Sequence, residues 1–362
     1  MQNVKPHWLM VASLIGVSVS LAVTGCLSWI PDGSAFIGTS TLIGALYGFF
    51  YAFFTVTLYS MATYRCQRSC GIIISTLEFL YGTGTISGAL AGVAVLDSWN
   101  YPIVFFVSAG LLLAGLPFLI FCSPGKDVEV TKNNQNFFRL IGSAPMVVDF
   151  VNVLLVMSAI GFHDGTLEFR LQYEEFRLSV TEVGAVFAVL YVFYVFGALF
   201  WGYVSSYKWE KEHVTILLGF VLLVLSFGIV GPAPFLPFEP RLWLVYIAQA
   251  LCGAGASAVV VCSFSRAIKR AVERGFPDNM WTFGSVVGFL FAGIAIGAGV
   301  SPLLSRFATE NIQYRRATSI MLAVLAFWCI VGLGSCIVGC RRRATLIGSR
   351  GPKEVYHKKN AF

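Results

Sequence analysis

Two acidic side chains lie inside long apolar stretches of the sequence, where a charge is costly. Glu78 belongs to the apolar run 71–96, and Asp149 lies near the start of another run, 145–163. An ionised side chain at the centre of a bilayer costs about 2.5–3.5 kcal/mol on insertion scales, so each acid needs a physical reason. A carboxyl group that gains and loses a proton as it meets each side of a membrane could couple movement to a proton gradient.

Each of these acids also has a structural explanation. Glu78 could be a neutral acid, or one paired with an arginine from a neighbouring helix end. For Asp149 the stronger interpretation is an acid at the membrane interface near Arg139. We therefore take Glu78 as one candidate charge carrier for proton coupling, and Asp164, in a later stretch of the sequence, as a second.

A second group of acids follows an apolar run in the stretch "SAIGFHDGTLEFRLQYEEFRLSVTE", residues 158–182. Asp164 and Glu168 are four residues apart and share one face if the helix continues. Carboxylates at an entrance concentrate cations and repel anions. The spacing predicts a cation-attracting mouth, and the alternative is an ordinary solvated loop. Solvation is the better explanation for the remaining acids, Glu174, Glu175 and Glu182.

Aromatic and amide side chains within the apolar runs are further candidates for binding. The face of an aromatic ring attracts a cation, which makes Tyr81, Tyr191, Tyr194 and Trp281 candidates. Most aromatic residues in such a chain pack against helices or face lipid. Gln249, in the middle of the run 242–265, is a candidate hydrogen-bonding residue of a pore.

The sequence lacks the motifs of soluble catalysis. We find no phosphate-binding glycine loop, no pairing of nucleophile and base, and no zinc motif. The pair Cys66 and Cys70 in "RCQRSC" has no histidine partners, and is interpreted as part of a loop at the membrane edge. We expect no metal, no cofactor, no enzymatic activity and no nucleic-acid binding. The basic segment 265–274 is predicted to be a cytoplasmic loop, or a short amphipathic helix on anionic headgroups.

The elements that hold these residues are apolar segments long enough to span a bilayer. About 20 apolar residues cross the hydrocarbon core as a helix, because backbone polar groups in lipid must pair within the segment. A mean hydropathy of +0.77 with 57% hydrophobic residues fits this class. The sequence therefore predicts an all-α polytopic membrane protein with ten spans: 8–30, 35–63, 71–96, 102–122, 145–163, 183–204, 214–236, 242–265, 281–304 and 317–340.

The basic residues are distributed unevenly between the two sides of such a chain. Of the 25 Lys and Arg residues, 19 fall on one side of the alternating loops and six on the other. The positive-inside rule then predicts that both termini are cytoplasmic. The acid-rich stretch 164–182 would face the lumen or the exterior, in a vesicle or at the plasma membrane.

One long hydrophilic stretch divides the spans into two groups. It reads "SPGKDVEVTKNNQNFFR" at residues 123–139 and is interpreted as a cytoplasmic linker. The predicted division is a partial N-terminal bundle of four helices, a linker, a C-terminal bundle of six helices and a cytoplasmic tail. The corresponding ranges are 1–122, 123–140, 141–340 and 341–362.

A faint internal repeat relates the two groups. "FLYGTGTISGALAG" (79–92) aligns with "FLFAGIAIGAGVSP" (289–302). Small residues every third or fourth position allow close helix contact in lipid, and repeated halves are typical of transporters. The alternative is that any two glycine-rich spans look alike. The residues of this predicted helix-packing motif are Gly82, Gly84, Gly88, Gly92, Gly297, Gly299 and Pro302.

These stretches resemble the major facilitator superfamily. "GCLSWIPDGSAFIG" (25–38) with "STLEFLYGTGTISGALAG" (75–92) resembles its third to fifth helices, and 284–302 resembles its eleventh. "GFHDGTLEFRL" (161–171) is similar to the end of the seventh helix in the vesicular amine and polyamine branch, solute carrier family eighteen. By this resemblance Asp164 matches an acid at the luminal mouth of the pathway.

The resemblance implies a two-bundle fold of twelve helices, of which this sequence would lack the first two. It also implies a monomeric, proton-linked transporter that moves small organic cations such as amines or polyamines across a bilayer. The missing helices and two departures from the family pattern favour an alternative, a non-transporting pseudo-transporter or a truncated membrane scaffold. The antiporter motif lacks its proline at Ala89, and Asp164 is followed by Gly165 instead of proline.

Overall fold

The computed structural model describes most of the chain as a series of α-helices. The described residues are 5–31, 33–66, 69–122, 137–174, 176–207, 212–231 and 241–349. Within them, ten stretches of helix are long and apolar enough to cross a membrane, and each overlaps one predicted span. The prediction of an all-α polytopic protein with ten membrane helices is confirmed.

The described residues form twelve α-helices. The first six are α1 (Pro6–Cys26), α2 (Ser34–Arg65), α3 (Cys70–Ser98), α4 (Tyr101–Ala114), α5 (Leu116–Cys122) and α6 (Phe137–Ile141). The last six are α7 (Ala144–Phe169), α8 (Val180–Tyr207), α9 (Glu212–Val230), α10 (Leu242–Glu273), α11 (Met280–Ile312) and α12 (Tyr314–Ser349). The helices α4 and α5 together make one span.

Local sequence signals account for several helix ends. Proline is well tolerated in the first turn of a helix, because the N–H that it lacks would have no partner within the helix there. It lies there in α1, α4 and α7, as Pro6, Pro102 and Pro145. The side chain of Asn279 caps α11 by accepting a hydrogen bond from the Thr282 N–H at 3.0 Å. After α10, Gly275 takes a φ of 82°, a backbone conformation that suits glycine.

Two helices extend beyond the apolar segments that predicted them, which corrects two predicted loops. α7 continues to Phe169, so the two acids of the predicted mouth belong to a helix and not to the loop 164–182. α10 continues to Glu273, so the basic segment 265–274 is mostly helical. Hydropathy falls at the first charged residues, but the backbone continues its hydrogen bonds wherever those charges find partners.

The helices form two groups that differ in the size of their buried apolar clusters. α7 to α12 pack on one another and hold the larger buried core, with Val153, Leu223, Val259 and Val286 fully buried. α1 packs on α2 and α4, and a smaller apolar cluster of Met10, Met61 and Met280 lies near them. Of the predicted linker, residues 123–136 lie outside the described residues.

The two groups meet at one end of the long helices. α3 packs on α8 and α10, and α2 packs on α11. The buried residues of α2 all fall between Thr55 and Thr63, near its end. In α3 they fall between its start at Cys70 and Gly82, and none of the later side chains described in this helix is buried. The contact therefore lies where α2 ends and α3 begins.

Candidate functional site

Glu78 lies within this contact, and its carboxylate joins three helices. It projects from α3 and is 4% exposed. One carboxylate oxygen, Oε1, accepts a hydrogen bond from the hydroxyl of Tyr59 on α2 at 3.0 Å. The other, Oε2, accepts one from the hydroxyl of Tyr194 on α8 at 2.8 Å. Both oxygens of the acid are thus held by neutral donors, one from each group of helices.

The surroundings of this acid are aromatic and uncharged. The Tyr59 ring contacts Phe291 of α11 edge-on, with ring centroids 5.0 Å apart, and Phe264 of α10 at 6.2 Å. Among the described residues, Glu78 has no Lys, Arg or His partner. The described residues therefore give no support to an arginine-paired Glu78, and the alternative of a neutral structural acid stays open.

Further tyrosines continue from Glu78 along α3 and α8. Tyr81 is one turn after Glu78 and is 55% exposed. It lies close enough to Tyr51, Tyr191 and Tyr194 to interact with them electrostatically. Three of the four predicted aromatic candidates therefore lie near one another, with Tyr81 exposed, Tyr191 half-buried and Tyr194 buried. A cation–π contact in this row would fall to Tyr81 or Tyr191. Trp281, the fourth, packs against the core of α7 to α12.

Asp164 and Glu168 line one groove at the end of α7, so their predicted common face agrees with the helix geometry. The groove has a volume of about 680 Å³ and is lined by the end of α7 and by α11, which contributes Pro302 and Arg306. The Gln172 side chain donates a long hydrogen bond, 3.5 Å, to Glu168. Two carboxylates beside one guanidinium leave the groove net negative.

Tyr191 does not line the groove but lies near one of its acids. It lies within electrostatic range of Asp164 and of Tyr81, and Cys252 of α10 lies within range of Asp164 as well. Tyr191 is one turn from Tyr194 on α8. Electrostatic range thus extends from Asp164 through Tyr191 to Tyr81.

Gln249 is not among the residues that line the groove. Its side chain is fully buried, and neither its amide nitrogen nor its oxygen has a hydrogen-bond partner among the described residues. Gly253, one turn later on the same face of α10, packs on the backbone of α8 at Tyr194. A role for Gln249 in a pore remains a prediction.

Asp149 has a partner that the sequence interpretation missed. The described structure pairs it with Arg266 of α10 and not with Arg139. Arg266 also contacts the His213 ring at 2.6 Å, and Arg270 contacts its other nitrogen at 2.9 Å. Successive spans cross the membrane in alternating directions, so the start of α7 and the end of α10 lie on the same side of the membrane. The order of the spans could therefore have indicated that Asp149 and Arg266 pair.

A second ion pair lies beside the first. Lys269 contacts Glu212 at 2.5 Å, and the same acid accepts hydrogen bonds from Ser205 and Ser265 at 3.1 and 3.0 Å. Much of the basic segment therefore pairs with acids inside the protein. This arrangement corrects the interpretation of 265–274 as a loop or a helix on lipid headgroups.

The glycines of the predicted packing motif fall into two sets. A Cβ on Gly82 would overlap Val195 of α8, and one on Gly297 would lie 2.5 Å from the Leu154 carbonyl of α7. Pro302 packs on Gly161 and Gly165 of α7. For the other members, nothing in the described part of the chain lies within 4 Å of a Cβ: these are Gly84, Gly88, Gly92 and Gly299.

Comparison with known proteins fits this arrangement. The family profile described as Major Facilitator Superfamily matches residues 150–345, more than half of the sequence. The chain belongs to the major facilitator superfamily. It is therefore an integral multi-pass membrane protein of a family of secondary transporters.

Curated relatives lie in the branch that the sequence resembled. The MFS-type transporter SLC18B1 of Mus musculus is 25% identical over 309 residues, covering 84% of this chain and 67% of the relative. The Homo sapiens protein of the same name is 25% identical over 319 residues, covering 87% and 68%. The resemblance to solute carrier family eighteen is thereby supported.

Solved structures share the fold at low sequence identity. The human organic anion transporter MFSD10 (TETRAN) superposes with a TM-score of 0.66 at 16% identity, covering 91% of this chain and 77% of that one. The E. coli fucose:proton symporter FucP gives 0.58 at 13% identity, covering 89% and 84%. These similarities establish the two-bundle fold.

Proposed function

We propose that the chain is a proton-coupled secondary transporter of organic cations such as amines or polyamines. The observation that carries the proposal is Glu78, a buried acid in the contact between the two groups of helices with tyrosine hydroxyls as its partners. Burial without a cationic partner favours the neutral carboxyl, and the two hydroxyl donors favour the charged carboxylate, so the opposing effects suit a group that gains and loses a proton.

A cationic substrate fits the path that leads to this acid. Asp164 and Glu168 give the groove a net negative charge, which raises the local concentration of cations. Tyr191, within electrostatic range of both Asp164 and Tyr81, would with Tyr81 offer aromatic rings to a cation. The proposal assigns Asp164 and Glu168 to attraction of the substrate and Glu78 to the proton.

The departure at Gly165 does not weaken this proposal. A Cβ there would lie 2.6 Å from the Pro302 carbonyl oxygen of α11. α7 and α11 approach so closely at this point that a larger residue would not fit without movement. The glycine therefore supports the packing of this structure, and loss of the family's proline is not by itself a sign of lost transport.

The orientation and organisation belong to the same proposal. Both termini would be cytoplasmic, so the groove would face the lumen or the exterior of a vesicle or plasma membrane. The bundles would be 1–122 and 141–340, joined by the linker 123–140 and followed by the tail 341–362. The chain would act as a monomer.

Replacement of Glu78 by glutamine tests the coupling role. The chain is reconstituted in sealed vesicles with an imposed pH gradient, and uptake of labelled polyamines and monoamines is measured. Glu78→Gln keeps the side-chain shape but cannot carry a proton, so gradient-driven uptake should fall to the level of empty vesicles. The matched control Glu168→Gln, in the groove, should retain gradient-driven uptake at a higher substrate concentration.

Full uptake by Glu78→Gln would remove this acid from the mechanism. Thermal stabilisation of the purified chain by amines separates a transporter from a scaffold. A transporter should be stabilised by its substrate, because a ligand that binds only the folded state raises its stability. Absence of both uptake and stabilisation with every amine would favour the non-transporting alternative.

A further inference from the structure

The two hydrogen bonds of Glu78 differ in what they connect. The bond from Tyr59 stays within one group of helices, because α2 and α3 both belong to the N-terminal group. The bond from Tyr194 crosses to α8 in the C-terminal group. Movement of one group relative to the other would leave the first bond intact and break the second.

We propose that Tyr194 is a positioning residue that links the protonation of Glu78 to the contact between the two groups of helices. The inference rests on the proposed coupling role of Glu78 and adds the route by which that role acts. The Tyr194 hydroxyl binds most strongly when the acid carries a charge. Protonation weakens this bond and favours separation of α3 from α8.

Close contacts between α3 and α8 flank the hydrogen bond from Tyr194 to Glu78 on both sides. On one side of it, Gly82 of α3 packs on Val195 of α8. On the other side, toward the start of α3, Gly71 packs on Ser206, with a Cβ position 2.8 Å from the Ser206 hydroxyl oxygen. These are close contacts between small or apolar side chains, which slide apart without breaking ion pairs.

The charges that face Glu78 support the direction of the effect. α2 contributes Tyr59 and α8 contributes Tyr194, while Phe264 of α10 and Phe291 of α11 contribute uncharged rings. The carboxylate has no cationic partner in the described part of the chain. Hydrogen bonds to a charged acceptor are roughly twice as strong as neutral ones, so loss of the charge reduces both bonds.

A native cysteine offers a readout for this contact. Cys70 begins α3 and is 2% exposed, within the contact between the groups. Cys66, four residues earlier, is exposed and serves as an internal reference for reagent and pH. The full chain in lipid vesicles is treated with a maleimide, and labelling of both cysteines is quantified by mass spectrometry. The ratio of Cys70 to Cys66 labelling reports opening at this end.

The matched variants are Tyr194→Phe and Tyr59→Phe, since each removes one hydroxyl from the same acid. In the unmodified chain the labelling ratio should rise as pH falls. Tyr194→Phe should raise the ratio about fivefold at neutral pH, equivalent to loss of one hydrogen bond of about 1 kcal/mol, and should flatten its pH dependence. Tyr59→Phe should keep the pH dependence. Glu78→Gln should be insensitive to pH in either background.

Equal labelling ratios for the two tyrosine variants would overturn the proposal, as would a ratio unaffected by pH in the unmodified chain. The outcome is separable from the proposed function. A pH-dependent ratio in a chain without uptake would contradict transport and retain the link through Tyr194. Proton-driven uptake with a ratio that Tyr194→Phe leaves unchanged would contradict the link and retain transport.

Discussion

At the residue scale, the two acids buried near the same contact behave differently because of their partners. Asp149 is fully buried and paired with Arg266, so its charge is compensated and helps to fix α7 against α10. Glu78 is as well buried but has only hydroxyl partners. A buried acid whose charge is compensated by an arginine suits a structural role. A buried acid without such a partner suits a group that changes its charge.

Removal of one partner from the Asp149 pair should destabilise the protein. Asp149→Ala leaves the Arg266 charge 6% exposed and without its carboxylate. Breaking a buried pair in this way costs about 3–5 kcal/mol, so the thermal midpoint in detergent should drop by several degrees. The double change Asp149→Leu with Arg266→Met removes both charges and should recover most of the loss. An unchanged midpoint in the single variant would show that the pair does not stabilise this end.

At the element scale, the spacing between helices depends on where glycine is required. Gly165 of α7 and Gly297 of α11 lie in the closest contact between these two helices. Gly88 of α3 has no such neighbour in the described part of the chain, although it belongs to the same kind of sequence motif. Glycine spacing in a sequence therefore indicates a flat helix face without telling whether a helix covers it.

Alanine substitutions should separate these two kinds of glycine. In Gly165→Ala the new Cβ would lie 2.6 Å from the Pro302 carbonyl oxygen, so α7 and α11 must move apart. Overpacking of this kind costs about 1–3 kcal/mol. Gly88→Ala, where nothing lies within 4 Å, should leave stability unchanged or slightly higher. Thermal unfolding of the purified variants measures both, and equal destabilisation would contradict this packing.

At the scale of the whole molecule, the contact between the two groups of helices and the acidic groove lie toward opposite ends. The two groups touch where α3 begins, at Cys70, and the acidic groove lies at the other end of α7. We call the end at which the two groups touch the closed end. The proposed orientation assigns the closed end to the cytoplasm.

Cysteine labelling in sealed vesicles should confirm that the two ends lie on opposite sides of the membrane. Cys66 is exposed beside the closed end, and Gln172 lines the groove. In a Gln172→Cys variant, a reagent that cannot cross the membrane should label residue 172 and Cys66 from opposite sides. Labelling of both from one side would contradict the arrangement of spans between them.

The sequence alone determined the class of the protein and the number of its spans. Each of the ten apolar segments overlaps an observed helix, because lipid leaves an apolar backbone segment no alternative to internal hydrogen bonding. The spacing of Asp164 and Glu168 correctly predicted their common face for a similar reason, since helical periodicity is local. The superfamily was also identifiable from short motifs.

Only the tertiary structure decided which polar residues meet. The partners of Glu78 lie on α2 and α8, and Tyr194 is separated from it by 116 positions in the sequence. The pairing of Asp149 with Arg266 spans 117 positions. Hydropathy and periodicity describe how one segment meets lipid or its own neighbours, and they carry no information on which helix face turns toward which other helix. Those contacts are set by the packing of the whole bundle, because the free energy of each depends on side chains from several helices at once.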